Sequence, residues 1–311
     1  MKSSGNDWFV IVNPNAGRRR GEKDWLEIAR LITEAGLDFT SVFTDAPNHA
    51  VKLARKYIEA GFRKIIVVGG DGTLNEVING IFSQHKYAPD EIIIAMIPVG
   101  TGNDWGRSFN IPEGYKEAVD IIAKGKTFRQ DVGKVVYTTA SNQKTRYFIN
   151  MAGMGFDAMV AKKTNKQKQL GKGGPLSYLV NLFTSLIAFK PVITRLLIDG
   201  KPVDEDIFSM SIAICQFNGG GMKQAPQAIP DDGLFDITII TRVTRMTVIR
   251  NVAKLYDGSF VKLRQVKQFR GQIVKIESDP ELYLETDGES LGHTPMTFEI
   301  MPRCVTVITG N

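Results

Sequence analysis

The sequence predicts an α/β protein of two domains, an N-terminal α/β domain followed by a C-terminal β-rich sandwich domain. From Trp8 to about Ala123, apolar runs alternate with helical periodicity, the pattern of a parallel sheet with crossover helices. A glycine-rich turn, Gly-Gly-Asp-Gly-Thr at 69–73, joins a strand-like run to a helical one. After Asp131 short strand-like runs follow one another closely. The expected division is 1–131 for the α/β domain, completed by 302–311, and 132–301 for the β-rich domain. The 311 residues, 43% hydrophobic and 23% charged, suffice for two cores of ordinary size.

In the first domain, strands are expected at 8–12, 39–43, 64–68 and 91–97, with helices at 22–35, 48–60 and 74–83. Three strands run into polar turns, at 13–17, 69–73 and 98–104. Ligands bind beyond the carboxyl ends of parallel strands, so these three loops should line one crevice. In the second domain, strands are expected at 132–137, 146–150, 193–198, 207–216, 234–240, 271–277, 281–286 and 296–300. Asp199-Gly200 reads as a hairpin turn. Helices are expected at 176–189 and 244–256, and a short strand at 305–309 is compatible with a return to the first domain.

The 69–73 turn suits a phosphate. Backbone N–H groups and the positive end of a helix dipole converge there, glycines allow close approach, and Thr73 adds a hydroxyl. Asp71 beside a polyphosphate calls for a divalent cation or for hydrogen bonds that hold it away. The turn is neither a Walker A loop, lacking Gly-Lys-Ser/Thr, nor a dinucleotide fingerprint, since Asn75 replaces the third glycine. Thr73 and Glu76 also have capping-box spacing, which would explain those two residues without a ligand.

Two distant cysteines, Cys215 and Cys304, give no disulfide framework and no metal spacing, as expected of a reducing compartment. No signal-peptide core is visible, and the apolar stretch 176–189 falls short of the roughly 20 residues that span a bilayer. The formal charge of +6 is uneven: 242–275 holds nine Lys or Arg and one acid, Asp257, and Lys162, Lys163, Lys166, Lys168 and Lys172 form a second run. Such runs favour anionic partners or are simply solvated faces. His49, His85 and His293 have no ligand spacing.

Five motifs in order carry a resemblance across nearly the whole chain. They are Asn-Pro-Asn-Ala-Gly at 13–17, Gly-Gly-Asp-Gly-Thr-Leu-Asn-Glu at 69–76, Pro-Val-Gly-Thr-Gly-Asn-Asp at 98–104, Asp-Asp-Gly-Leu at 231–234 and Asp-Gly-Glu at 287–289. On them the sequence resembles the diacylglycerol kinase catalytic-domain family, in particular its bacterial soluble lipid kinases. The resemblance implies an N-terminal domain like that of NAD kinase, with the active site in the cleft between the domains. It puts ATP contacts on Asn13, Pro14, Asn15, Ala16, Gly17, Thr44, Gly70, Asp71, Gly72, Thr73, Leu74, Asn75, Glu76 and Thr101. Asp71, Asp104 and Asp131 match acids that relatives use around the phosphates and Mg²⁺, and Glu289 matches the general base. Asp232, with the carbonyls of Ile229 and Leu234, matches a separate structural Mg²⁺ site. Ala16 departs from the family's usual serine, which removes one hydroxyl and leaves the backbone cradle. Read without the family, Asp104 is a helix cap, Asp131 and Asp232 are turn residues, and Asp-Gly-Glu is a solvated hairpin.

The expected activity is ATP- and Mg²⁺-dependent phosphorylation of a free hydroxyl on a diacylglycerol-like or related lipid, phosphatidylglycerol-like or sphingoid lipids included. The expected location is cytoplasmic, with peripheral association at an anionic membrane surface, no nucleic-acid partner, and room for a homodimer. The 162–189 stretch has the basic run and helical apolar spacing of an interfacial helix, or equally of a core helix. Two rivals share the scaffold: an NAD kinase, with the same Gly-Gly-Asp-Gly-Thr turn, and a non-enzymatic lipid- or nucleotide-binding regulator.

Overall fold

The computed structural model describes residues 7–140, 142–156, 158–159, 163 and 192–310. These divide into two compact units, one reaching Val132 and including Gly219–Gly221 and the chain from Pro302 onward, the other holding the remainder.

The first unit is built on strands apolar enough to be covered on both faces, which is the requirement for an all-parallel sheet. β1 (Trp8–Val12) lies between β2 (Phe39–Phe43) and β3 (Lys64–Gly69), and β3 continues to β4 (Ile93–Pro98), every pair parallel. The expected strand near the C-terminus adds to this sheet, Thr306 pairing with Ile93 and Val307 with Ile94 in parallel. On one face Trp8, Val10, Val12, Ile66 and Val68 pack against Ile28 and Ile32 of one helix and Val119 and Ile122 of another. On the other face Phe9 stacks on Tyr57 at 3.7 Å between ring centroids.

The helix expected at 22–35 is two helices, α1 (Ala16–Lys23) and α2 (Trp25–Glu34), separated at Asp24. α1 opens with Gly17, Arg18 and Arg19 in left-handed geometry, φ 57°, 61° and 69°. α3 (His49–Glu59) lies close to expectation, whereas α4 (Asp71–Ser83) starts three residues earlier and takes Asp71 into its first turn. α5 (Asp104–Ser108) starts where Asp104 also reads as a helix cap, with Asn103 at the cap position itself, and a second helix, α6 (Tyr115–Lys124), has no counterpart in the sequence reading. The second was legible: Tyr115, Ala118, Val119 and Ile122 repeat at helical spacing and are buried, and Gly125 closes the helix at φ 68°.

In the second unit, β5 (Thr127–Thr138) leads out of the first and pairs with β6 (Gln143–Phe148). The strand expected at 146–150 is the end of β6 and the approach to β7 (Met151–Gly155). β8 (Val192–Ile198) and β9 (Lys201–Ile207) form a hairpin on Asp199-Gly200, both at positive φ as a type I′ turn requires. β10 (Ser209–Ala213) pairs with β7 and with β11 (Phe235–Ile240). α7 (Arg245–Asn251) and α8 (Lys254–Asp257) replace the single helix expected at 244–256. The strand expected at 271–277 is β12 (Val266–Gly271) and β13 (Ile273–Ser278), turned at Gln272. β14 (Tyr283–Thr286) then leads to β15 (Glu289–Ile308), which contains both of the last two expected strands.

One antiparallel ladder runs β12-β11-β10-β7-β14-β15 and a second runs β9-β8-β13-β15. Phe148 stacks on Phe235 at 5.9 Å and meets Phe298 edge-on at 6.1 Å, so one aromatic cluster ties together β6, β11 and β15. The expected helix 176–189 and the basic run 162–172, Lys163 apart, lie outside the described residues.

Candidate active site

The carboxyl ends of β1, β3 and β4 bring three loops of the first unit together, as their position in a parallel sheet requires. Asn13 holds the first loop: its backbone N–H bonds Val68 O at 3.0 Å, its side-chain oxygen accepts Asn15 N–H at 3.0 Å, and its amide donates to Thr73 Oγ1 at 2.9 Å. Gly70 and Gly100 hold the other two loops against each other. A Cβ on Gly70 would stand 3.1 Å from Gly100 Cα, and one on Gly100 would stand 2.8 Å from Gly70 Cα. At Gly100 a side chain would force a shift of the neighbouring backbone, and at Gly70 the fit would be tight.

α4 begins in this cradle. Its first intrahelical bond is Leu74 N–H to Gly70 O at 3.1 Å, which leaves the N–H groups of the preceding turn at the positive end of a 13-residue helix. Leu74 and Asn75 are wholly buried, so they contribute backbone rather than side chain to this end. The capping-box reading fails: Glu76 accepts the N–H groups of Asn48 and Ala50 at 2.9 and 3.0 Å and caps α3, while Thr73 is bonded to Asn13. Thr44 is tied to the end of β1 through Val12 O at 2.8 Å, and Thr101 is exposed. Pro14 and Ala16 lie in the first loop, which closes with Glu22 N–H on Pro14 O at 3.2 Å and Ala16 N–H on Asn13 O at 3.2 Å.

Asp71 and Asp104 form an interlocked pair. Asp71 accepts the N–H groups of Asp104 and Trp105 at 3.2 and 3.1 Å and so caps α5. Asp104, buried, accepts Gly220 and Gly221 N–H at 2.8 and 2.6 Å. Burial pushes the Asp104 carboxyl above its ordinary range, opposed by those two N–H groups and by Arg107. Both carboxylates border the space beside Gly102, where a Cβ would lie 3.2 Å from Asp71 Oδ2 and 3.4 Å from Asp104 Oδ2. A carboxylate has about four lone-pair directions, and two hydrogen bonds leave capacity on Asp104. Two carboxylates facing one side-chain-free space beside a helix N-terminus are a fitting donor set for a hard cation associated with phosphate oxygens. Among the described residues no group of three or more His, Cys, Asp or Glu side chains is arranged as a metal cluster.

Asp131 sits inside β5, fully buried, and accepts Arg303 N–H at 2.7 Å. It is therefore not a turn residue. The Cys304 thiol near it is pushed up to about 12, by burial first and by Asp131 second. Asn103 was not singled out by the sequence, yet it adopts φ 51°, donates to Gly100 O at 3.1 Å and keeps a buried Oδ1 without a hydrogen-bond partner at the cradle. The Gly219-Gly220-Gly221 run that holds Asp104 was also missed, although three successive glycines are a visible turn signal.

In the second unit, Glu289 is exposed at the start of β15, after a two-residue turn with Asp287 at φ 47° and Gly288 at φ 84°. Asp287 is buried, contrary to a solvated hairpin, and accepts three N–H groups, from Ile149, Asn150 and Met151, at 3.0, 3.1 and 3.0 Å. Glu285, equally buried, accepts Gly288 N–H at 2.9 Å. The turn that presents Glu289 is thus anchored by two acids that sequence reasoning left unused or took as solvated.

At the turn expected to hold a structural Mg²⁺, Asp232 is held by protein groups. Asp232 Oδ2 is bound by Arg270, which also reaches Asp236 at 3.3 Å, and Asp232 Oδ1 accepts Leu234 N–H at 3.1 Å. Asp232, which the resemblance groups with the carbonyls of Ile229 and Leu234 as a structural Mg²⁺ site, thus has a guanidinium on one oxygen and an amide on the other.

The same unit holds an apolar pocket over the β10–β11 face, lined by Phe156, Phe208, Ile240, Val248, Val252 and Leu255 among others. Its polar lining includes Ser209, Ser211, Gln224 and Thr238. Thr238 (3% exposed) and Gln224 (8%) each keep a buried oxygen without a hydrogen-bond partner. Glu285, Gly153, Ser211 and Thr238 are paired in register across β14, β7, β10 and β11, so they share one face, and Glu285 Oε1 would be 2.6 Å from a Cβ on Gly153. A polar row therefore crosses the sheet from beneath the Glu289 turn to the pocket.

Comparison with known proteins agrees with both halves. Residues 7–135 match the diacylglycerol kinase catalytic domain, and residues 150–309 match the YegS C-terminal NAD kinase beta sandwich-like domain. The chain is 28% identical over 300 residues to a diacylglycerol kinase of Staphylococcus carnosus (strain TM300), covering 96% of this chain and 94% of that one. It is 28% identical over 303 residues to one of Staphylococcus aureus (strain MRSA252), covering 97% and 92%. The crystal structure of a diacylglycerol kinase from Bacillus anthracis str. Sterne superposes with a TM-score of 0.72 at 22% identity, covering 99% and 98%. Yeast NADH kinase complexed with NADH superposes at 0.56 and 10% identity, covering 98% and 84%, a likeness of fold alone. With a nucleotide-type cradle in one half and a β-sandwich in the other, both matched over nearly their full extent, the chain belongs to the diacylglycerol kinase catalytic-domain family of lipid kinases.

Proposed function

We propose that the chain transfers the γ-phosphoryl group of ATP to a free hydroxyl of a diacylglycerol-like lipid. The observation that carries the reading is the cradle: the α4 N-terminus, the Gly70–Gly100 contact and the Asp71–Asp104 pair together suit a polyphosphate with a hard cation. Asn13, Asn15, the backbone of 70–73 and Asn103 bind and orient the phosphates, and α5 is held in register by Asp71. Mg²⁺, held by Asp71 and Asp104, would offset the phosphate charge. The lipid hydroxyl oxygen bonds to the γ-phosphorus, the bond from that phosphorus to the β–γ bridging oxygen breaks, and ADP leaves. Glu289 takes the hydroxyl proton, on a turn kept rigid by Asp287 and Glu285. The pocket over β10–β11 takes an acyl chain, and the unpartnered oxygens of Thr238 and Gln224 suit the polar linkage of an acylated head group.

The test uses radiolabelled ATP with diacylglycerol, phosphatidylglycerol, sphingosine and NAD as acceptors. Label in a lipid, lost about 10²- to 10⁴-fold in Glu289→Gln with ATP affinity retained, is the expected result. Label in NAD, or ATP binding without transfer to any acceptor, would refute it in favour of one of the two rivals.

A further inference from the structure

We propose that the outer face of α7–α8 docks the protein on an anionic lipid bilayer, directly behind the wall of the acyl pocket. The inference rests on the lipid-kinase reading for its purpose but on separate residues for its content.

α7 and α8 have two opposite faces. Thr247, Val248, Asn251, Val252 and Leu255 line the pocket. Met246 (54% exposed), Ile249 (46%) and Tyr256 (56%) point outward, where a solvated helix normally carries polar residues. Around them Arg242, Arg245, Arg250 and Lys254 are exposed, and Lys262 and Arg264 follow in the next turn of chain. The single acid of the 242–275 stretch is Asp257, whose carboxyl is held below its ordinary range first by the Ser259 hydroxyl and then by Ser259 N–H. Two other bases of the stretch, Lys267 and Arg270, are committed to Glu205 and to Asp232 and Asp236. Arg242, Arg250, Lys262 and Arg264 are exposed beside the apolar tip.

That combination selects its partner. A nucleic acid needs the cations but gains nothing from exposed Met246 and Ile249, whereas an interfacial surface uses both, the apolar side chains at the acyl boundary and the bases at anionic head groups. A lipid leaving the bilayer beneath this face would find the pocket on the other side of the same two short helices.

Sedimentation of the full chain with phosphatidylcholine vesicles, with and without phosphatidylglycerol, tests the assignment. Wild type should bind the anionic vesicles, and more weakly at high salt. Each base near an anionic surface strengthens binding roughly fivefold, so Arg242→Gln with Arg250→Gln should weaken it about 25-fold. Met246→Ser with Ile249→Ser should also release the protein from vesicles while its turnover of a short-chain, monomeric diacylglycerol matches wild type. Wild type that ignores anionic vesicles, or paired variants that bind them as wild type does, would overturn the docking face. Retention on duplex DNA in place of vesicles would overturn it as well. Vesicle binding without lipid phosphorylation would sink the kinase reading and leave the docking face standing; turnover without vesicle binding would do the reverse.

Discussion

Gly100→Ala is the sharpest test of the cradle, because its consequence can be worked from two distances. The new methyl would stand 2.8 Å from Gly70 Cα and 2.6 Å from Asn103 Oδ1. Carbon atoms pack at about 3.5–4.0 Å, so the two loops must part by roughly 0.7–1.2 Å at their closest point. Neither neighbour is the free end of a flexible side chain: Gly70 is backbone, and Asn103 is buried and bonded to Gly100 O. Overpacking of this kind costs about 1–3 kcal/mol of stability. A displacement near 1 Å at groups that position a substrate costs about 10²-fold in turnover, close to 2.7 kcal/mol of transition-state stabilisation. Steady-state kinetics in ATP, beside thermal unfolding, gives both numbers. Gly106→Ala is the control, since its Cβ would meet only Ile111 Cβ, at an ordinary 3.6 Å within the same segment. If Gly100→Ala keeps kcat/KM within about twofold of wild type, the 98–104 loop does not position phosphates and the cradle is wrong.

Three further substitutions address the supports of the site. Asp287→Asn retains a residue that tolerates left-handed φ but turns an NH2 toward amides now served by carboxylate oxygens, so urea unfolding should show a loss of about 1–3 kcal/mol and turnover should fall with ATP affinity kept. Thr238→Val removes a buried hydroxyl that has no partner in the protein, so stability should hold or rise while affinity for an ester-linked lipid drops about three- to tenfold; unchanged lipid affinity would remove Thr238 from the site. Tyr115→Phe breaks the bonds of the Tyr115 hydroxyl to Asp24 at 2.6 Å and from Arg20 at 2.7 Å, which brace α1 and α2 against α6, at a cost of about 1 kcal/mol in thermal unfolding. The Asp24 carboxyl is held below its ordinary range mainly by that hydroxyl and then by Arg20, so the gap between wild type and variant is present at neutral pH and should close as pH falls through and below the usual carboxylate range. Tyr115 itself is pushed up to about 12 by burial and then by Asp24; the gap should therefore also shrink as pH rises from about 10 toward 12.

What was legible in the sequence was whatever local chemistry dictates. Five consecutive apolar residues at 8–12 read as a strand covered on both faces, and the glycines after β3 mark its turn into α4. Asp199-Gly200 set its own hairpin. What failed depended on partners distant in the chain. Glu76 has the spacing to cap α4 but caps α3, because Asn48 and Ala50 present N–H groups 28 and 26 residues away that a local motif does not see. Asp232 likewise meets Arg270, 38 residues on, which its local turn does not reveal.

The acids of the Asp-Gly-Glu and Gly-Asp-Gly motifs show the same division within single residues. Their types were readable as chemistry, but the work of each carboxylate is set by long-range amides: Asp71 receives those of Asp104 and Trp105, Asp104 those of Gly220 and Gly221, and Asp287 those of 149–151. Each such bond aligns a loop as well as satisfying an oxygen. An acid that orders the loop couples folding of the site to its charge, so neutral Asp71→Asn should damage loop geometry even where no nucleotide is present. Amide exchange at Asp104 and Trp105 reads that directly: faster exchange in the unliganded variant is expected, and wild-type protection there would mean that Asp71 acts on the ligand alone.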